Sequence, residues 1–478
     1  MPKIFFEKRK IPSPFWVLCA FLILVFLTGG SSAHEVQSLI ILRPAAALVC
    51  VYGLWGLRRE HIRQYRFLFG FATALFGLVG LHLMPLPPMI WGALPGRELI
   101  SEIDRVAGFG GLWRPISIVP WATWNALFSL LVPLAVLLLG VQITREQRFQ
   151  LLPVILCLGL VSGLLGLLQV IGPADGPLYF YKVTNTGAAV GLYANRNHQA
   201  VLLASMFTLL AVYACTGIKS VEQARIRLWV AVAAGVVLIP LVLVTGSRAG
   251  LITGAIALLI LPMLYHKPEI AVPKKRKFPK KHIRLLIFGF AIIGIGLLTI
   301  LFARAQAFDR LMAPDQTGDE RVTLWAQSAQ MAWKYFPIGS GIGSFVEAYQ
   351  IDESFESLTD TYANHAHNDW LEVYVTGGLI GLVMLGIAVI AWMRIAFAIW
   401  KSPRRHTRDD IFVRLGSIIF LIMAIASIGD YPLRVPSIAC FMAVAALWLQ
   451  GGDKRANAKL ESKSDGNLAD TPLASLQS

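Results

Sequence analysis

The chain has 478 residues, 56% of them hydrophobic and only 15% charged, with a mean hydropathy of +0.62. That composition excludes a soluble globular domain: the apolar residues come in blocks of about 20, the length of a helix that crosses a bilayer. The net charge of +15 is distributed in a way that argues against nucleic acid as a partner, as the order of the segments shows.

Spans are predicted at 14–29, 38–57, 67–84, 120–141, 151–171, 199–217, 228–245, 249–265, 285–303, 373–400, 413–428 and 435–450. The expected fold class is therefore all-α, a polytopic membrane protein of about twelve helices with one large outer, periplasmic loop. Its parts are 1–303 with nine spans, the outer loop 304–370, 371–450 with three spans, and a polar tail 451–478 expected to be disordered in the cytoplasm. With a cytoplasmic N-terminus, the inner connections (1–13, 58–66, 142–150, 218–227, 266–284, 401–414 and the tail) hold 30 of the 43 lysines and arginines. The outer connections (84–119, 172–198, 246–248, 304–370 and 429–434) hold 11, and Arg43 and Arg394 fall inside spans. Every short basic loop thus lies on one side, as the positive-inside rule requires. The cluster PKKRKFPKK at 273–281 reads as a topology anchor on anionic lipid.

The first segment, KRK followed by an apolar run and GGSSA, shares the outline of a signal peptide. We read it as an uncleaved anchor; cleavage after Ala33 would leave the downstream orientation unchanged. Cys19, Cys50, Cys157, Cys215 and Cys440 all sit in apolar segments without C-x-x-C spacing, so neither a disulfide framework nor a metal site is expected from them. Arg43 lies near the outer end of the second span, where an intramembrane charge either serves function or snorkels to the interface. In the loop 84–119, Leu99, Ile100, Ile103 and Val106 recur at helical spacing, which predicts a short helix lying on the membrane surface. Trp91, Trp113, Trp121 and Trp124 suit an interfacial aromatic belt.

Three polar motifs follow. Asn195-Arg196-Asn197-His198 directly precedes the sixth span, with Asn197 as the expected cap. Gly246-Ser247-Arg248 forms so short a turn that Arg248 must sit at the outer interface, where a guanidinium calls for a salt bridge or an anionic ligand. In the large outer loop, Val322, Trp325, Ala329 and Ala332 fit one packed helix face, and Gly339, Gly341 and Gly343 fit a tight turn with close backbone approach. The third motif, His365-Ala-His367-Asn368-Asp369, opens the tenth span; Asp369 and Glu372 have the spacing of a cap and its reciprocal partner.

Because every even-numbered span starts on the outer face, these motifs place three helix N-termini, two arginines and a histidine pair at one boundary. Helix ends and guanidiniums bind anions, and histidine moves protons near neutrality. No D-x-D motif and no outer cluster of carboxylates is visible to hold a divalent cation, so the expected chemistry is metal-free and needs no cofactor. A lipid-linked diphosphate is the natural substrate. An acceptor hydroxyl attacks the carbon bearing it, with His367 as base and Arg196 and Arg248 stabilising the leaving anion. Arg321 is a third diphosphate candidate; Asn197, His198, Asn368 and Asp369 are expected in support.

These residues resemble the O-antigen ligase and polysaccharide polymerase superfamily of bacterial inner-membrane glycosyltransferases. The resemblance rests on NRNH at 195–198, TGSRAG at 245–250, ERVTLW with PIGSGIGSF within 320–345, and HAHNDWLEVYVTGGLIG at 365–381. It implies metal-independent transfer of a glycan from undecaprenyl diphosphate to a sugar, lipid A core or protein acceptor at the periplasmic face. Arginines matching Arg196 and Arg248 bind the diphosphate, and the histidine matching His367 is the base. The doubled histidine is a departure that leaves His365 as a competing base. An O-antigen or exopolysaccharide polymerase is slightly preferred to a ligase; a carrier of a small anion or a glycan is the alternative, and it would show internal repeats and discontinuous helices at mid-membrane.

Overall fold

A computed structural model of the chain describes residues 13–268, 316–355, 358, 362–402 and 407–450. The predicted ninth span, the basic cluster 273–281 and the tail lie outside them. The helices are α1 (Pro14–Thr28), α2 (Leu39–Trp55), α3 (Arg59–Gln64), α4 (Arg66–His82), α5 (Pro88–Gly92), α6 (Glu98–Val106), α7 (Pro120–Ser129), α8 (Leu131–Gly140), α9 (Arg145–Ile171) and α10 (Arg196–Cys215). They continue with α11 (Val221–Val244), α12 (Arg248–Leu264), α13 (Gln316–Tyr335), α14 (Phe345–Asp352), α15 (Asp369–Lys401), α16 (Arg408–Gly429) and α17 (Pro436–Gln450). Two-residue strands at Pro85–Leu86 and Arg114–Pro115 pair antiparallel.

Apolar helices stand at eleven of the twelve predicted spans, with α7 and α8 together forming the fourth. The fold is a polytopic, all-α membrane protein. Several helices begin a turn before their apolar run, because polar caps start them: Thr144 accepts from Gln147 N, Ser220 from Gln223 N and Thr407 from Asp410 N. Helix α10 lies at the centre, packed against α9, α11, α12 and α16, and is buried from His198 to Val212. A helix that is apolar all round suits the centre of such a bundle. Around it one continuous core joins α1, α2, α8, α9, α11, α12, α16 and α17. The N-terminal helix is part of this core through Leu18, Leu22, Val25 and Phe26.

The end of the bundle expected from the sequence to be outside, called the outer end below, carries a second small core. Leu324, Met331, Ala332 and Tyr335 of α13 pack with Phe345, Ala348, Tyr349, Ala366 and Val375. The face of α13 is thus shifted from the one predicted: Val322 is exposed, and Leu324, Ser328 and Tyr335 point inward. Trp91 is also corrected, from belt to core; its indole N–H donates to Pro115 O at 2.6 Å. Trp113, Trp121 and Trp124 are exposed. Helix α6 forms as expected, with Leu99, Ile103 and Val106 exposed and Asp104 paired inward with Arg114. Arg43 hydrogen-bonds to Asn125 and Ser129 of α7, so both partners of this cation are neutral side chains.

Helix α15 is broken at Gly378, whose φ of 55° and ψ of −149° no L-residue adopts readily. The break frees backbone groups, and the loop 337–341 takes them: Ser340 N donates to Val375 O at 2.9 Å, Gly341 N to Thr376 O at 3.0 Å, and Leu379 N to Pro337 O at 2.8 Å. A Cβ on Gly339 would meet Thr376 O at 2.6 Å, which explains a glycine there. Irregular backbone at this depth is tolerated because protein groups satisfy it.

Candidate active site

Three capped helix starts meet at the outer end. Buried Gln169, in the last turn of α9, folds the 172–195 loop back: its Nε2 donates to Leu178 O and Gly191 O, both at 2.8 Å, and its Oε1 accepts from Val190 N and Gly191 N. That delivers Asn195, whose side chain accepts from Asn197 N at 2.8 Å and caps α10. The cap is therefore Asn195, two residues earlier than the expected Asn197. Asn197, released from capping, donates from Nδ2 to Asp430 Oδ2 at 2.6 Å. Ser247 caps α12 by accepting from Gly250 N at 3.0 Å. Asn368 caps α15 by accepting from Leu371 N at 3.1 Å, which corrects the assignment of that role to Asp369.

Asp369 and Glu372 do other work. Arg434, in the 3-10 turn Pro432–Arg434, reaches Asp369 Oδ1 with Nε at 3.2 Å and Glu372 Oε1 with Nη1 at 3.2 Å. Ser427 Oγ also donates to Asp369 Oδ2 at 2.9 Å. Glu372, 1% exposed, reaches back past the cap to accept from Ala366 N at 3.0 Å and to hold His365 Nδ1 at 3.0 and 3.2 Å. Burial disfavours the Arg434 charge, but Glu372 and Asp369 overcome it and raise the guanidinium's pKa.

The second unit centres on Asp430, 1% exposed. His198 Nε2 stands 3.5 Å and His367 Nδ1 3.6 Å from its Oδ1. Burial would raise this carboxyl's pKa; the two imidazoles outweigh burial and hold it well below the usual carboxylate range. Tyr431 lies between the units, its ring centroid 4.3 Å from that of His365, 4.8 Å from His367 and 4.9 Å from His198. Burial and then the Asp430 charge push its phenol pKa up, so it stays protonated. His367 is the one non-glycine with positive φ (49°) among the described residues. Such strain is held only where surroundings over-determine it, typically at functional sites.

The structure thus brings together His198, His365, His367, Asn197, Asn368 and Asp369. Arg196 adjoins them as the first residue of α10, and a Cβ on Gly246 would sit 3.6 Å from its Nη1, so the Gly246–Arg248 turn abuts it. Arg248 is exposed at the start of α12. Arg321, in the first half of α13, makes no hydrogen bond or ion pair to the cluster among the described residues. Asp369 and Glu372 meet at Arg434, and Asp430 meets His198, His367 and Asn197, so each carboxylate is already engaged by cations, imidazoles or amide donors. Among the described residues no group of three or more His, Cys, Asp or Glu is arranged to hold a metal ion.

Asp430, Tyr431 and Arg434 were not singled out in the sequence. Their signal was an acid and an arginine four residues apart in a six-residue turn between two apolar spans, a costly placement unless paired. Ser32 was likewise read only as part of a possible cleavage site.

Fold and site define a multi-pass helical membrane protein with an acid–base and cation-rich centre at one end of its bundle. Residues 233–386, about a third of the chain, match the family model described as O-antigen ligase, and over that part the chain is similar to the O-antigen ligase and polysaccharide polymerase superfamily. The match supports glycan transfer of that general type. The match includes Arg248, the 337–343 loop and His365 to Glu372, and excludes Arg196 and Asp430 to Arg434. No curated protein sequence matches the chain.

Proposed function

We propose that the protein is a metal-independent glycosyltransferase of the bacterial inner membrane that moves a glycan from undecaprenyl diphosphate onto an acceptor hydroxyl at the periplasmic face. The observation that carries this reading is the convergence, at one bundle end, of two carboxylate–histidine units beside arginines at two helix starts. Transfer needs those parts: a base for the acceptor hydroxyl, and positive charge for the departing diphosphate. The acceptor O–H bond breaks, an O–C bond forms at the anomeric carbon, and the C–O bond to diphosphate breaks with its electron pair leaving on the lipid diphosphate. Arg196 and Arg248 bind that anion; planar guanidiniums suit phosphate oxygens. One histidine of the pair takes the acceptor proton and the other faces the donor. Asp430 faces both His198 and His367 beside Arg196.

Metal independence is supported by the donor set, since Asp369 and Glu372 are shared with Arg434 and Asp430 is bonded by Asn197. A carrier would use a broken helix to bind its cargo, but here loop 337–341 occupies the break at Gly378. The acceptor is a second lipid-linked repeat in a polymerase, lipid A core in a ligase, or a protein; we favour an O-antigen or exopolysaccharide polymerase. The deciding experiment is deletion of the gene with analysis of surface glycan. A polymerase leaves single repeats attached, a ligase leaves polymer detached from lipid A, and unchanged glycan rejects the reading.

A further inference from the structure

Ser32 lies in the segment 29–35 between α1 and α2, and that segment is pinned by its backbone. Gly29 O accepts from Ser437 N at 3.0 Å, Gly30 N donates to the Tyr181 hydroxyl at 2.7 Å, and Gly30 O accepts from Ala194 N at 3.0 Å. The Ser32 hydroxyl is not among these ties. It stands instead 3.2 Å from His365 Nε2.

The other contacts of His365 fix which nitrogen carries its proton. A carboxylate only accepts, and Glu372 faces Nδ1 at 3.0 Å, so Nδ1–H is the donor. In the neutral ring Nε2 is then an acceptor, and Ser32 donates its O–H to it. Glu372 shares its charge with Arg434 at 3.2 Å, so it can orient a neutral imidazole without requiring an imidazolium. His365 is 15% exposed and Ser32 half-buried, so the junction is open to a ligand hydroxyl. His367 differs: its Nδ1 faces Asp430, a carboxylate shared by two imidazoles and the Asn197 amide, on the Arg196 side.

We propose that Ser32, His365 and Glu372 form the acceptor-side proton relay of the transfer reaction. His365 Nε2 is the base, Ser32 Oγ holds the acceptor hydroxyl beside it, and Glu372 is the positioning residue that fixes the ring. The inference rests on the glycan-transfer reading above. When the acceptor binds, the Ser32 O–H turns from Nε2 and Oγ holds the acceptor hydroxyl, whose own O–H now points at Nε2. As the acceptor oxygen bonds to the anomeric carbon its proton passes to Nε2, and the diphosphate leaves with the bonding pair towards Arg196, Arg248 and His367. Position beside a helix start favours His367 as base; the hydrogen-bond geometry assigns that role to His365.

The test uses the full-length protein in proteoliposomes, with an undecaprenyl-diphosphate-linked repeat as donor and a benzyl glycoside of the same repeat as acceptor. Ser32→Ala is expected to raise the acceptor KM about three- to tenfold, the worth of one hydrogen bond, with kcat changed less than about threefold. Ser32→Thr restores it. Glu372→Gln is expected to lower kcat by about 100-fold or more and to move the acid limb of the kcat/KM profile to lower pH. The groups facing His365 in that titration are Ser32, Glu372 and Tyr431, with Arg434 and Asp369 behind Glu372. A purely structural role would lower melting temperature and leave that limb in place; Glu372→Asp serves if the Gln variant does not insert. An active wild type with an unchanged acceptor KM in Ser32→Ala, or an unmoved acid limb, overturns the relay. A glycosyl adduct on Ser32 with no turnover in Ser32→Ala overturns it in favour of a covalent route. An inactive wild type whose calorimetric binding of the benzyl glycoside still depends on Ser32 defeats the transfer reading and keeps the acceptor contact; loss of that dependence as well defeats both.

Discussion

Asn197 Nδ2 donates to Asp430 Oδ2 at 2.6 Å, which ties the start of α10 to the turn between α16 and α17, 233 residues away in sequence. The bond depends on a neighbour doing the capping: because Asn195 caps α10, the Asn197 amide is free to reach across. Asp430 in turn faces His198 and His367, so a single carboxylate links Arg196's helix to the histidine loop. Replacing Asp430 by Asn keeps the shape and removes the charge that both imidazoles face. Asp430→Asn is expected to lose at least about tenfold in transfer rate and about 3 kcal/mol of stability, since a broken buried pair leaves uncompensated groups. Normal turnover with lipid-linked donor in reconstituted vesicles would remove Asp430 from the site.

The same carboxyl gives a pH dependence with a definite sign. Its folded pKa lies well below the ordinary 3.8, so it binds a proton more readily in the unfolded chain. Its contribution is therefore present in full above the unfolded value and is lost as pH falls through the lower folded value. The melting-temperature gap between wild type and Asp430→Asn, read by intrinsic fluorescence in detergent, should persist at pH 5 and close progressively below about pH 4. A gap that stays open or widens below about pH 4 contradicts the pairing.

How far the sequence could be read follows from which forces are local. Spans are set by transfer of about 20 apolar residues into lipid, a property each segment carries by itself. The caps stand one or two residues from the expected ones because Asn195 and Asn368 compete for capping with Asn197 and Asp369, and only backbone geometry decides between them. The Asp369–Glu372 pair looked like a local cap and its partner; both carboxylates are instead held by Arg434, which arrives from another helix connection. No local pattern encodes that contact. Ser32 and His365, 333 residues apart, meet for the same reason.

Arg248 offers a test of guanidinium geometry. It begins α12 and is exposed beside the turn that abuts Arg196, so its planar fork can meet a diphosphate in two places at once. Arg248→Lys keeps the charge and loses the fork. Most activity should disappear, at least about tenfold, through a raised KM for the lipid-linked donor with little change in melting temperature. Near-normal turnover would mean that the side chain is structural.

EDTA should leave transfer intact, because the carboxylates at the outer end are engaged by Arg434, His365 and Asn197. The measurement is the rate in chelated vesicles before and after adding Mg²⁺ or Mn²⁺. Strong inhibition that either cation reverses would reject the metal-independent mechanism.

Gly378 probes the coupling between the outer loop and α15. A Cβ there would lie 2.3 Å from Pro337 O and 2.7 Å from Gly339 N, in a backbone conformation reserved in practice for glycine. Relief would require withdrawing the 337–341 loop, which breaks its bonds to Val375 and Thr376 and loosens Val375 from the α13 core. Gly378→Ala should therefore cost about 2 kcal/mol or more. It should also slow transfer, because Glu372 and the cap Asn368 sit in the helical turns ahead of the break and Glu372 holds His365. Thermal unfolding and initial rates on one vesicle preparation check both effects. A variant that melts like wild type would show that loop and helix do not hold each other.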